Sequence, residues 1–157
     1  MRYFSRKLVE ALNSTDPDVV DKADQEWEYN VSRYEKKLVK LQHLLPRALI
    51  DLALHDARVL GLFIKHDATN DSEINVELVV QQANRQLSLL YSGIQKVTFK
   101  YAYRDQSHCG FRVRGLGDWL VDEISWLDNK FIRQEILFES GAVLLLEFTA
   151  FEAIDRQ

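Results

Sequence analysis

The chain has 157 residues, 46% of them hydrophobic and 28% charged, with a net charge of −4. That suffices for one domain with its own core and excludes a disordered chain, while the mild acidic balance offers no clustered basic surface for nucleic acid. A lone cysteine, Cys109, excludes an intramolecular disulfide and suits a reducing compartment.

Ser5 caps a short first helix whose apolar face is Leu8, Val9 and Leu12, and Asn13-Ser14-Thr15 breaks it. Asp16-Pro17 starts the second helix, an acceptor at the cap followed by proline at the first helical position. From there Trp27, Val31, Tyr34, Leu38, Leu41 and Leu45 step by four and three. That heptad seam is too short for a free-standing coiled coil, so it reads first as a long helix lying across a sheet. Pro46 is expected to end or kink this helix, with a short third helix over Arg47 to Leu54.

At Leu54-His55-Asp56-Ala57 the hydrophobic period changes from helical to alternating. Val59 to Ile64 reads as the first strand. Ile74, Val76, Leu78 and Val80 form the clearest one; Leu87, Leu89 and Tyr91 extend the pattern to Ser92-Gly93. Val97, Phe99, Tyr101 and Tyr103 alternate next. Trp119 to Trp126 and Phe131 to Phe138 flank a turn, and Ser140-Gly141 leads into Val143 to Phe148, apolar on both faces and so expected to be central. The fold expected is α+β in a single domain (1–54 helical, 57–157 strands). Two or three helices pack on one face of a mostly antiparallel sheet of six or seven strands.

Three constellations carry chemistry. Asp16, Asp18, Asp21, Asp24, Glu26 and Glu28 crowd the first half of the second helix, against Lys22 alone; Arg33, Lys36, Lys37, Lys40 and Arg47 follow. The macrodipole favours acids at a helix start, but only over the first turn. The remaining acids, Asp18, Asp21 and Asp24 among them, form either a solvated face or a docking face. The docking partner is a basic protein or the basic half of a second copy, through the Asp16–Leu45 helix. The long loop from Arg104 to Asp118 holds His108, Cys109, Arg112 and Arg114; Arg104, Arg112 and Arg114 are a weak anion-binding patch beside the solvated-loop reading. Adjacent His108 and Cys109 point apart on an extended segment and cannot form a thiol–imidazole dyad.

The third constellation is His55 and Asp56 at the link together with Asp122 and Glu123 in a late strand. Asp122 falls among Leu120, Ile124 and Trp126, and a carboxylate on an apolar face wants a partner such as His55. If they met, the four could do acid–base work or hold half a metal site. The plainer expectation is a structural hydrogen bond between His55 and Asp122, whose loss costs about 1–3 kcal/mol.

Trp27…Tyr34…Leu45-Pro46, Leu54-His55-Asp56-Ala57, Trp119…Asp122-Glu123 and the strand pair around Ser140-Gly141 resemble a family of uncharacterised bacterial domains. The resemblance covers most of the chain. It implies a helical N-terminal part, antiparallel strands and a bacterial cytoplasmic setting, with no activity and no site residue. The Arg104–Asp118 loop departs from its pattern. Met1-Arg2-Tyr3-Phe4-Ser5 lacks the apolar core of a signal peptide, and no stretch approaches the ~20 apolar residues of a membrane span. A non-catalytic cytoplasmic binding or accessory protein, immunity- or inhibitor-like, is therefore expected. The alternative is a hydrolase or metal-dependent enzyme built on His55, Asp56, Asp122 and Glu123. No cofactor and no resident metal are expected.

Overall fold

A computed structural model describes residues 1–66, 73–101, 115–127 and 130–156. Among the described residues three helices come first: α1 (Arg6–Leu12), α2 (Pro17–Leu41) and α3 (Arg47–Asp51). The Ser5 hydroxyl accepts from the Leu8 amide, and the Asp16 carboxylate accepts from the Asp18 amide with Pro17 behind it, as the sequence predicts for both starts. α2 stops at Leu41, five residues before Pro46, which caps α3. The proline acts at the start of the next helix, where its fixed φ is an asset, rather than at the end of the long one.

Eight strands follow among the described residues: β1 (Arg58–His66), β2 (Ile74–Gln82), β3 (Arg85–Ser92), β4 (Lys96–Lys100), β5 (Trp119–Trp126), β6 (Ile132–Phe138), β7 (Val143–Phe148) and β8 (Ala150–Arg156). They do not form the single six- or seven-stranded sheet that alternation suggests. Two four-stranded antiparallel sheets are built, in the orders β1-β2-β3-β8 and β4-β7-β6-β5. As expected, β7 is central, between β4 and β6.

The division arises at a corner. β3 runs into β4 and β7 into β8 with a few residues between, and both pairs leave one sheet for the other at the same place. There the Thr149 amide donates to the Ser92 carbonyl, and the Gln95 amide to the Glu147 carbonyl. Gly93 has φ +62°, and a Cβ on it would fall 2.0 Å from the Thr149 hydroxyl. Only glycine fits that corner. On the opposite side the Asp56 amide donates to the Trp119 carbonyl, and the Trp119 amide to the Ala57 carbonyl. The start of β1 is thereby stitched to the start of β5.

One core fills the space between the sheets. Val76, Leu78, Val80, Leu87, Leu89 and Tyr91 come from the first sheet; Trp119, Ile132, Ile136, Phe138, Leu144, Leu146 and Phe148 come from the second. All are essentially removed from water. Leu45, Leu49, Leu54 and Ala57 add the α3 region to the same core.

α1 and α2 lie instead on the outer face of the second sheet, around a separate cluster of Tyr3, Phe4 and Tyr34 with Trp27, Val31, Leu38 and Val121. The heptad seam is thus buried against this chain's own sheet. The helical layer covers one outer face, with α3 apart from it.

Candidate functional site

Leu54-His55-Asp56-Ala57 is a hydrogen-bonded turn in which the Ala57 amide donates to the Leu54 carbonyl. Its ends, Leu54 and Ala57, are buried in the core; its middle residues project into solvent. Asp56 has φ +64°, which aspartate tolerates better than most residues. His55 Nδ1 lies 2.9 Å from Asp56 Oδ2, and both side chains are about 70% exposed.

Asp122 and Glu123 are neighbours on β5 and therefore face opposite ways. Asp122 pairs in register with Ile136, placing it on the core side. Its carboxylate accepts from the Trp119 indole at 3.2 Å and from the Gln134 amide at 2.7 Å. Gln134 in turn accepts from the Tyr91 hydroxyl at 3.0 Å. This chain of polar groups ties β5 and β6 to β3 across the two sheets. Burial pushes the Asp122 carboxyl above its ordinary value, and the hydrogen bonds from Gln134 and Trp119 offset only part of the lost hydration. The sequence therefore places Asp122 correctly on an apolar face, but its partners are Gln134 and Trp119 rather than His55.

Glu123, on the other face, holds the start of the chain. Its carboxylate accepts from the backbone amides of Arg2, Tyr3 and Phe4 at 2.6–2.8 Å. Asn30 of α2 donates to the Tyr3 carbonyl, and the Met1 amino nitrogen lies 2.5 Å from Glu135. Of the four residues singled out for catalysis, His55 and Asp56 are brought together, exposed. Asp122 sits on the core side and Glu123 under the N-terminal segment. Among the described residues no group of three or more His, Cys, Asp or Glu side chains is placed to hold a metal ion. His108, Cys109, Arg112 and Arg114 lie outside the described residues.

The acidic half of α2 lies on the surface. Asp18, Asp21, Asp24 and Glu28 step by three, three and four, so they share one side of the helix. The buried Ala23, Asn30 and Tyr34 mark the side turned to the sheet. All four acids are exposed, and among the described residues none is engaged in an ion pair. Tyr29 stands beside them, 62% exposed.

Two polar assemblies have no counterpart in the sequence reading. On the outer face of the first sheet, Glu77 takes hydrogen bonds from Lys65 at 2.5 Å, from Ser88 at 2.8 Å and from Arg156. These donors, Lys65 first, pull its carboxyl down to about 2. Its alternation with core residues in Ile74–Gln82 identified the face but not the partners, which come from β1, β3 and β8. At the edge of β5, the Ile124 amide donates to the Tyr34 hydroxyl at 2.5 Å, and Lys37 donates to the Ile124 carbonyl at 3.1 Å. Burial lowers the Lys37 pKa and raises that of Tyr34.

No helix among the described residues is long and apolar enough to cross a membrane. Neither the models of known protein families nor the curated proteins give any match to this chain.

Proposed function

We propose that this chain is a non-catalytic binding or accessory protein of a bacterial cytoplasm, immunity- or inhibitor-like, that docks a basic partner on the acidic half of α2. One observation carries the reading: Asp18, Asp21, Asp24 and Glu28 are aligned and exposed, with no ion pair among the described residues, on a helix whose opposite side is anchored. Like charges at three- and four-residue spacing cost helix stability by a few tenths of a kcal/mol per pair. A partner that neutralises them recovers that cost and gains steering during encounter. A second copy is the alternative occupant, because Arg33, Lys36 and Lys40 are exposed further along the same helix.

Affinity purification from native cells, with the wild-type chain and with Asp18, Asp21 and Asp24 changed to lysine, tests it. A partner recovered by the first bait and lost by the second supports the reading. Recovery of the same proteins by both baits removes the acidic face from consideration. Recovery of untagged copies of the chain itself selects the dimer.

A further inference from the structure

We propose that residues 1–37 form a strap that opens from the sandwich as one unit, and that opening it uncovers the edge of β5 at Ile124. Among the described residues β5 is the last strand of its sheet, so half of its backbone groups face away from β6. At Ile124 those groups are occupied by side chains of α2. Its amide donates to the Tyr34 hydroxyl, and its carbonyl accepts from Lys37. Two side chains thus stand where a neighbouring strand would bond, and α2 acts as a guard on that edge.

The strap is attached by a set of contacts distinct from the main core. Its apolar grip is the small cluster of Tyr3, Phe4 and Tyr34, where Phe4 packs on Trp27 at 4.8 Å and edge-on to Tyr34 at 5.5 Å. Its polar grip is concentrated on Glu123, which holds three successive amides, and on Glu135, which meets the Met1 amino nitrogen. Leu38 touches both clusters, and Leu41 and Leu45 pack against the main core, so the last turn of α2 stays behind as the hinge. A region held by a satellite cluster and a few polar contacts opens at a lower free energy than the strands it covers.

Native-state hydrogen exchange on the intact wild-type chain, followed residue by residue at low denaturant, tests this. The Ile124 amide is the reporter. Its acceptor belongs to the strap, whereas alternation turns the amides of Glu123 and Ser125 toward β6. The expected result is that Ile124 exchanges through the same opening as the amides of α2 around Asn30 and Tyr34. That opening lies below the one that exposes Leu78, Leu89, Ile136 and Leu144. Glu123→Gln should speed exchange at Ile124 and in the strap by about tenfold, leaving those four amides unchanged. Exchange of Ile124 together with Glu123 and Ser125, or of the whole strap only through global unfolding, overturns the proposal. Equal acceleration everywhere in Glu123→Gln overturns it too.

Discussion

Glu77 and Asp122 respond to pH in opposite senses, although each is a carboxyl group on a strand. Glu77 is held down to about 2 by Lys65, Ser88 and Arg156. Its contribution is present above its unfolded pKa and lost as pH falls from about 4.5 toward 2. Its cationic partners are themselves about half exposed and remain hydrated when it is removed. Glu77→Gln should therefore cost roughly 1–2 kcal/mol at neutral pH and flatten the acid limb of the melting profile. Asp122 is raised by burial, so the folded state holds its proton more tightly than the unfolded chain does. That term is complete below the ordinary value of 3.8 and lost as pH rises through the folded pKa. Asp122→Asn should remove this alkaline descent: the difference in melting temperature between variant and wild type should shift in the variant's favour as pH rises from 4. A difference that does not change with pH contradicts the assignment. His55→Ala should change stability by no more than about 0.5 kcal/mol in a denaturant titration, because its partner among the described residues, Asp56, is as exposed as itself. The larger loss expected from the sequence assumed a buried partner.

At the scale of elements, the corner at Gly93 decides whether the strands form one sheet or two. Gly93→Ala adds a methyl at a positive φ and 2.0 Å from the Thr149 hydroxyl, and should cost roughly 2 kcal/mol or more. Thr149→Ala removes the hydroxyl but not the backbone strain, so the double variant should be less destabilised than the sum of the singles. Chemical denaturation of the three variants measures that coupling. This corner also explains what the sequence conceals. Alternation reports which residues share a face of a strand, and it placed Val76, Leu78, Leu87 and Leu89 correctly. It cannot report that a strand continues past a bend into a different sheet, and the single glycine at 93 looks like any turn. The turn between β2 and β3 is hidden for a related reason: Ala83 carries φ +49° with no glycine or proline to announce it. Helix starts were legible because Ser5 and Asp16-Pro17 act locally. The partners of Asp122 and Glu123 were not, because Gln134, Trp119 and the amides of residues 2–4 are joined to them by tertiary structure.

The whole molecule is asymmetric about its sandwich. One outer face is covered by α1 and α2; the other is held by the Glu77 network and no helix lies on it among the described residues. The acids of α2 stand on the far side of the covering layer, directed away from the sheet, and that placement suits recognition of a separate molecule. Carboxyl-labelling footprinting read by mass spectrometry tests the docking face most directly, by comparing the purified chain with the same chain in extract of its native cells. Asp18, Asp21 and Asp24 should react freely in the purified protein and be protected in extract, while the exposed Asp51 and Glu152 react alike in both. Equal labelling of the three aspartates in the two conditions would contradict the account.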